Sequence, residues 1–305
     1  MSKPAKAKSG FSFEKFKVKT EWLIYFTPFI IGVIFFTLYP IINVFLIAFK
    51  ENYTYMTKEF SGWGLANFQY VLTDPVFHQA LKNTLGYVCI VIPVSTCIAI
   101  LIATLLNQKI KFSGFFQTCY FIPMVTSTIA VGFAWRFMFS DRHGIINYLL
   151  GLLNMEPVKW LLDPSKNFYA LCIYGIWAIL PFTIILLLSG LQNIDPMYYT
   201  AAKVDGAGPI RIFFRVTIPL LMPTIFMVIM VNTISCFKVF NELFPLFQGP
   251  GVANNLFTVV YYIYFQFRVL VPAYYGYAAA AALILFLIIF VVTMFQRFVE
   301  AKLKN

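Results

Sequence analysis

The sequence predicts an all-α protein that crosses a membrane six times, and three observations support this fold class. Of the 305 residues, 60% are hydrophobic and only 11% are charged, and the mean hydropathy is +0.78. Apolar runs long enough to cross a bilayer as helices recur along the chain. Lysine and arginine are divided unequally between the segments that connect these runs. A soluble domain would carry far more charge, so we interpret the chain as an integral membrane protein.

The chain begins with a basic segment, residues 1–21, in which six lysines outnumber two glutamates. This segment lacks the apolar core and small-residue cleavage site of a removable signal peptide, so we expect a basic cytoplasmic tail. A single permease domain over 22–298 and a short tail over 299–305 follow. The domain contains six apolar runs, each at or above the roughly 20 residues that a membrane-crossing helix needs. They cover residues 22–49, 84–106, 118–139, 168–190, 219–240 and 275–297.

Two prolines, Pro28 and Pro40, interrupt the first run and predict a tilt or a kink there. An even number of crossings places both chain termini on the same side of the membrane. The segments on that side carry 14 of the 23 Lys and Arg residues, the opposite side carries 7, and Arg136 and Lys238 lie within runs. Positive residues favour the cytoplasm, so we expect both termini there. The net charge of +11 suits an anionic membrane leaflet, and no nucleic-acid partner is expected.

The connecting segment 191–218 carries the strongest local structure signals in the chain. Asp195 is a helix N-cap, and Pro196 suits the first helical position, where its missing N–H costs nothing. Gly206 supplies the permissive backbone that ends this helix. The following dipeptide, Gly208-Pro209, allows a new helix to begin, and residues 210–217 predict a second short helix. The segment is therefore a compact helix-turn-helix at a membrane face, which either docks a partner or only connects two spans.

Three parts of this segment form a recognisable pattern: Thr200-Ala201-Ala202, Asp205-Gly206-Ala207, and Ile218-Pro219 with Pro223. The pattern resembles the EAA loop of binding-protein-dependent ABC importer permeases, in particular the sugar-uptake group related to the maltose and glycerol-phosphate permeases. The leading Glu of the family is Thr200 here, so a salt bridge from this position is not carried over. The resemblance implies the type I importer permease fold. It also implies contact with an ATPase through Asp195, Tyr199, Thr200, Ala201, Ala202, Asp205, Gly206, Ala207 and Arg211.

The same resemblance implies the partners of the chain. They are a second homologous permease, two cytoplasmic ATPase subunits, an extracytoplasmic solute-binding protein, and a sugar, in particular an oligosaccharide. ATP and Mg²⁺ belong to the ATPase subunits, because this chain lacks the glycine-rich loop that cradles nucleotide phosphates. Neither His78 nor His143 lies in a zinc-protease motif, and the five cysteines lack paired spacing. We therefore expect no catalytic residue, no bound metal and no cofactor in this chain.

The fourth and fifth runs contain the candidate solute contacts. The fifth run carries a neutral polar stripe at positions i, i+3, i+4 and i+7 of one helical face: Asn232, Ser235, Cys236 and Val239. The fourth run carries aromatic rings suited to stacking on a sugar: Tyr174, Trp177 and Phe182. Such a polar stripe either binds a hydroxyl-rich solute or holds neighbouring helices together. The resemblance selects the same two neighbourhoods, because in maltose-type permeases the spans flanking the EAA loop line the solute site.

Three further features allow two interpretations each. Arg136 and Lys238 either snorkel or pair locally, or they supply a counter-charge for an anionic solute. The aromatic segment 50–83 either docks the solute receptor or forms part of an interfacial aromatic belt. The small residues Ala278 to Ala282 pack either against another subunit or against helices of the same chain.

The competing function is a self-sufficient carrier or channel driven by an ion gradient. Ion-coupled carriers commonly rely on acidic side chains inside their spans as proton or cation relays. No Asp or Glu lies inside any of the six predicted spans. The sequence therefore favours the ATP-driven importer over the ion-driven carrier.

Overall fold

The computed structural model describes residues 25–108, 113–270, 272 and 274–304. The predicted tail over 1–21 lies outside the described residues. Two-residue strands pair antiparallel, with Lys50 opposite Trp63, and the other elements are helices, in agreement with the predicted all-α class. In chain order the elements are α1 (Tyr25–Phe49), β1 (Lys50–Glu51), β2 (Gly62–Trp63), α2 (Ala66–Thr73), α3 (Pro75–Leu106), α4 (Ser113–Val125), α5 (Thr128–Met138), α6 (Ile145–Leu152), α7 (Asn167–Gln192), α8 (Pro196–Val204), α9 (Pro209–Phe237), α10 (Leu243–Phe247), α11 (Val259–Tyr264) and α12 (Tyr275–Lys304).

Five of the described helices are long and apolar enough to cross a membrane: α1, α3, α7, α9 and α12. A sixth crossing requires α4 and α5 together, and the axes of this pair are bent by 110°. The prediction of one uninterrupted span over 118–139 is therefore corrected. Ser127 has extended backbone (ψ 124°) and starts α5 as its N-cap, so the helix cannot continue through it. The preceding Thr126 hydroxyl donates to the Ile122 carbonyl, which satisfies one acceptor at the end of α4.

The second and last spans are longer than their apolar runs. α3 begins at Pro75, nine residues before the predicted start at 84, because Oδ1 of Asp74 accepts from the Val76 N–H at 2.8 Å and caps the helix. α12 continues to Lys304, so residues 299–304 belong to the helix and not to a separate tail. In α1, a π-helical turn over Ile34–Leu38 precedes Pro40, which has no N–H to donate.

The fifth span differs from the prediction at both ends. It begins at Pro209 and runs through a π-helical turn, Phe213–Thr217, into the membrane-crossing part. The predicted second short helix over 210–217 is therefore the first part of α9 and not a separate element. The backbone of Thr217 is helical (φ −64°, ψ −53°), so the helix passes through this position without a break. α9 ends at Phe237, three residues before the predicted end of the run.

The core of the protein forms where α3, α7 and α9 pack together. Ala99 and Ala103 on α3 are fully buried against Leu187 of α7 and Leu221 of α9. Small residues let helix axes approach closely, and packing of this kind drives association in lipid. The three helices therefore form the rigid centre to which the other elements attach.

The alanine-rich face of α12 packs within the chain. Ala278 to Ala281 are buried, with at most 6% of each side chain exposed, and Ala282 is half-buried. α12 contacts α1, α2, α9 and α11. Of the two interpretations open for Ala278 to Ala282, the structure therefore selects the contact inside the chain.

The bundle has two distinct ends, which we call the loop end, carrying residues 191–217, and the hairpin end, carrying β1 and β2. At the hairpin end, the side-chain amide of Asn67 on α2 donates to the carbonyls of Ala48 and Lys50, both at 2.9 Å. The ammonium of Lys50 lies 4.9 to 5.5 Å from three aromatic ring centres, those of Tyr53, Phe60 and Trp63. These contacts attach the β1–β2 segment to the end of α1.

Replacement of Gly132 tests the crossing of α5 and α10. A Cβ atom at Gly132 would lie 2.4 Å from Cγ of Pro245, so we expect Gly132→Val to force the two helices apart and to lower the thermal unfolding midpoint by several degrees. Gly151→Ala is the matched control, because a Cβ there meets nothing within 4 Å and alanine favours a helix. An unchanged midpoint for Gly132→Val in nanodiscs would contradict the observed packing.

Candidate functional site: the coupling loop and the cavity

The loop helix α8 starts as its sequence predicts. Oδ1 of Asp195 accepts from the backbone N–H of Met197 at 2.8 Å, and Pro196 occupies the first helical position. The cap satisfies one of the four N–H groups that a helix N-terminus leaves unpaired. A nine-residue helix is marginal by itself, so such a cap matters for its stability.

The end of α8 explains the Asp-Gly-Ala sequence. Gly206 has a left-handed backbone (φ +72°), its N–H donates to Lys203 O at 3.0 Å, and the Ala207 N–H donates to Ala202 O at 2.9 Å. This pair of bonds is the Schellman closure, in which the glycine position must adopt positive φ. Ala202 and Ala207 are the residues that the closure brings together. The motif therefore encodes a defined turn between α8 and α9.

The loop presents an exposed apolar surface. No residue of α8 is buried, and the exposed fractions of Met197, Val204 and Ile210 are 70%, 82% and 76%. Apolar side chains at this exposure are typical of surfaces that a partner protein covers. Among the predicted coupling residues, three are half-buried: Tyr199, Ala202 and Ala207. The other six are exposed: Asp195, Thr200, Ala201, Asp205, Gly206 and Arg211.

A cleft of about 820 Å³ separates the loop from the end of α3. Tyr199, Lys203 and Ala207 form its loop side, and Asn107 and Gln108 lie on its α3 side. The Thr200 hydroxyl donates to the carbonyl of Pro196 at 3.2 Å within the helix. The loop thus stands away from the bundle, connected to it through the continuous helix α9.

The second feature of the site is the interruption of the chain after α9. The Thr258 hydroxyl donates to the carbonyl of Val239 at 2.8 Å, and the Thr84 hydroxyl accepts from the Val259 N–H at 3.0 Å. Glu242 Oε2 accepts from the Phe240 N–H at 3.0 Å. Side chains therefore satisfy the backbone where the helix stops, as irregular chain among apolar helices requires.

This interruption lies inside the bundle. Thr84 is nine residues from the start of α3, which corresponds to about 14 Å along the helix axis. Thr84 and Thr258 are 0% and 1% exposed, so the bonds through them place the end of α9 in the interior of the protein. In membrane proteins, interrupted helices at such depth occur where the backbone is buried in protein or lines a water-filled cavity.

A cleft of about 560 Å³, here called the cavity, lies between the two interrupted spans and is open at the surface, because every lining residue except Pro245 is exposed. α5 crosses α10 at Gly132, where the missing side chain leaves room for Pro245. The cavity wall combines neutral polar groups with aromatic rings and apolar residues: Ser127, Thr128, Ile129, Phe133, Asn241, Phe244 and Pro245. The described wall contains hydroxyl and amide groups but no ionisable side chain.

The aromatic residues predicted on the fourth span lie elsewhere. Tyr174 is buried and meets Trp135 edge-to-face at 5.9 Å between ring centres, and Trp177 meets the same indole at 5.4 Å. Phe182 is 37% exposed. Tyr174 and Trp177 stabilise the contact between α7 and α5, and none of the three predicted rings lines the cavity.

The polar stripe predicted on the fifth span is divided between two environments. Asn232 is buried and donates to the Thr183 hydroxyl on α7 at 2.9 Å. This bond supports the interpretation that Asn232 holds neighbouring helices together. Cys236 and Val239 are buried, whereas Ser235 is exposed, and none of the four lines the cavity. Because α9 ends at Phe237, helical spacing does not apply to Val239, and that part of the stripe is corrected.

The cavity residues Ser127, Thr128, Asn241 and Phe244 were not identified from the sequence. The first two belong to a run of three hydroxyl residues, Thr126 to Thr128, inside a long apolar stretch. Asn241 follows the last helical residue of α9 by four positions. Clusters of polar residues inside an apolar run are the signal that could have located both interruptions.

Arg136 lies at the hairpin end in a separate pocket of about 310 Å³. With the Gln248 amide oriented so that its oxygen faces Arg136, the guanidinium donates to it at 2.7 Å. The structure therefore supports local pairing of Arg136. Lys238 is exposed at the end of α9 and is not part of the cavity wall.

Long apolar helices, a capped loop exposed at one end and a polar cavity between interrupted spans define a multi-pass membrane transport protein. Residues 95–305 match the family described as "Binding-protein-dependent transport system inner membrane component". The chain belongs to this family and is a multi-pass inner-membrane component of such a transport system.

Two relatives and one solved structure illustrate the similarity. The chain is 32% identical to the arabinooligosaccharides transport system permease protein AraP of Bacillus subtilis, over 99% of this chain and 96% of that protein. It is 33% identical to the lactose transport system permease protein LacF of Rhizobium radiobacter, over 93% and 94% of the two chains. A bacterial ABC transporter involved in the import of the acidic polysaccharide alginate has the same fold, with a TM-score of 0.81 and 24% identity, over 96% of this chain and 100% of that chain.

The contribution of the positive φ of Gly206 to the stability of the turn can be tested separately from steric contacts. A Cβ atom at Gly206 or Gly208 meets nothing within 4 Å, but only Gly206 has positive φ. We expect Gly206→Ser to cost about 1–2 kcal/mol locally and to speed amide hydrogen exchange at the end of α8 roughly tenfold. Gly208→Ser should leave exchange unchanged, because Gly208 is the N-cap of α9, a position that serine favours. Equal exchange rates in the two variants would exclude the closure as the stabilising element.

Proposed function

We propose that this chain is the sugar-translocating permease of an ATP-driven importer, with both termini and the 191–218 loop in the cytoplasm. The observation that carries this proposal is the exposed, capped helix α8, on which the side chains of Met197, Tyr198 and Val204 are each more than half exposed. Family membership and the excess of positive residues on this side support the same orientation. Asp195, Tyr199, Thr200 to Ala202, Asp205 to Ala207 and Arg211 form the surface that docks the ATPase.

The continuous helix α9 supplies the mechanical connection. Its 29 residues span about 43 Å, from Pro209 next to the loop turn to Phe237 next to the cavity. A displacement of the loop is therefore transmitted along one helix to the residues that follow it in the cavity wall. Closure of the ATPase pair shifts the equilibrium between inward- and outward-open states only because its contacts with the loop differ between those states.

The solute path passes through the cavity between α5 and α10. Ser127, Thr128 and Asn241 offer hydrogen-bond donors and acceptors without net charge, and Phe133 and Phe244 offer ring faces. Hydroxyl-rich, neutral solutes match this combination. The relatives named for arabinooligosaccharide and lactose transport support a sugar, and an oligosaccharide in particular.

The remaining partners follow from this assignment. A second, homologous permease completes the translocation path, and an extracytoplasmic binding protein delivers the solute at the hairpin end. Two ATPase subunits bind ATP and Mg²⁺, since this chain lacks a glycine-rich phosphate loop. Catalytic residues, metals and nucleic acid have no part in the proposed function of this subunit.

Removal of cavity polar groups should weaken solute transfer. Thr128→Val preserves shape but deletes the hydroxyl, and Asn241→Leu deletes the amide, so each should lower ATP-driven uptake at subsaturating solute by up to about tenfold. Thr118→Val is the control, because that hydroxyl bonds only to the Gly114 carbonyl of its own helix. Normal uptake of radiolabelled sugar in both cavity variants would exclude this cavity as the path.

A charge on the exposed face of α8 should prevent capture of the ATPase. Val204 is 82% exposed, so Val204→Asp leaves the fold intact but buries a carboxylate in the proposed interface, and co-purification of the ATPase should fall at least about tenfold. Met155→Asp places the same charge at an exposed apolar position of the hairpin end and should leave capture unchanged. Full capture by Val204→Asp would locate the ATPase interface elsewhere.

A further inference from the structure

A small pocket at the hairpin end is distinct from the transport cavity. Its volume is about 210 Å³, equal to about seven water molecules in the liquid, and it shares no lining residue with the cavity. It forms where the β1–β2 connection, α2 and the start of α12 meet. Its walls are Asn52, Tyr53, Thr54, Asn67, Pro272, Tyr274, Gly276 and Tyr277.

Asn67 supplies a buried acceptor to this pocket. Its side chain is only 3% exposed, and both of its described hydrogen bonds leave from Nδ2, to the carbonyls of Ala48 and Lys50. Among the described residues, no donor pairs with Oδ1. Because Asn67 lines the pocket, Oδ1 is free to accept a hydrogen bond from a ligand or a water molecule there.

Gly276 preserves the space around this amide. A Cβ atom at Gly276 would lie 2.7 Å from Nδ2 and 2.8 Å from Oδ1 of Asn67. Any side chain at this position would therefore displace Asn67 or fill the pocket. Glycine at the first turn of α12 is thus explained by the close approach of the Asn67 side chain and not by backbone conformation.

The aromatic wall of the pocket is held in a fixed orientation. Tyr277 stacks on Tyr70 with 3.9 Å between ring centres and 11° between planes, and on Tyr274 at 5.3 Å and 15°. The three rings form a parallel row, of which Tyr274 and Tyr277 reach the pocket. Rings that are already ordered bind a flat apolar surface with little further loss of conformational entropy.

Among the described residues the lining is uncharged, and it combines aromatic rings with the amides of Asn52 and Asn67. A neutral ligand with hydroxyl donors and an apolar C–H face matches every one of these groups, and a single pyranose or furanose ring has this chemistry. We propose that the pocket is a second sugar site, which holds one neutral sugar residue at the hairpin end of the permease. The chemical class of this ligand rests on the proposed function.

Saturation-transfer NMR on the purified full-length chain in phosphatidylcholine nanodiscs tests the site, with lactose, maltotriose and arabinotriose as probes. These nanodiscs contain no glycolipid, so a signal reports the free sugar. We expect transfer to at least one probe, and Tyr277→Leu and Gly276→Ala should each raise its Kd about tenfold. Tyr277→Leu removes a ring without adding a steric clash, so it remains informative if Gly276→Ala folds poorly.

Two control variants locate the signal. Tyr55→Leu removes an exposed ring that stacks on Tyr275 outside the pocket, and Thr118→Val removes a hydroxyl that bonds only within its own helix, so both should leave the Kd unchanged. Equal weakening by Tyr55→Leu, or no weakening by Tyr277→Leu, overturns the assignment. ATP-driven uptake of a probe without any saturation transfer overturns the second site but leaves the transport function intact. Saturation transfer that depends on Tyr277, without uptake of any probe, supports the site and overturns the proposed function.

Discussion

The pairing of backbone polar groups among apolar helices is the constraint on which the rest of the structure depends. Most spans meet it with their own helical hydrogen bonds, but the chain stops being helical within two of the predicted apolar runs. After α9, side chains bond the backbone groups that the helix leaves unpaired. The Thr258 hydroxyl donates to the Val239 carbonyl, the Thr84 hydroxyl accepts from the Val259 N–H, and the Glu242 carboxylate accepts from the Phe240 N–H. Because these bonds exist, the helices can end inside the protein and leave a polar cavity between them.

The same constraint determines how the two ends of the protein communicate. At the loop end, Asp195 and the Gly206 closure satisfy the ends of α8, so the loop has a defined shape without packing against the bundle. From Pro209, the fifth span continues without a break to the cavity. A motion of the loop therefore reaches the residues beyond Phe237 along a single continuous helix.

The sequence predicts features that depend on local chemistry and misses those that depend on contacts between distant residues. Caps and a positive-φ glycine are local, so the bounds of α8 follow from Asp195, Pro196 and Gly206. Mean hydropathy identifies the spans, but it averages the three polar residues Thr126 to Thr128 with their apolar neighbours. The 110° bend at these residues is therefore not predicted from the sequence. The cavity joins Ser127 to Asn241, whose proximity arises from the crossing at Gly132 and Pro245, and no spacing rule reports it. Whether the face from Ala278 to Ala282 packs inside or outside depends on the neighbouring helices.

The central claim is that ATP drives transport through separate ATPase subunits, because the exposed loop has a function only if such a subunit binds to it. The direct test is uptake of labelled oligosaccharide by proteoliposomes that contain this chain, its sister permease, the ATPase and the solute-binding protein. The account predicts uptake with ATP on the loop side and none with a proton or sodium gradient alone. Uptake driven by an ion gradient in the absence of nucleotide would contradict it.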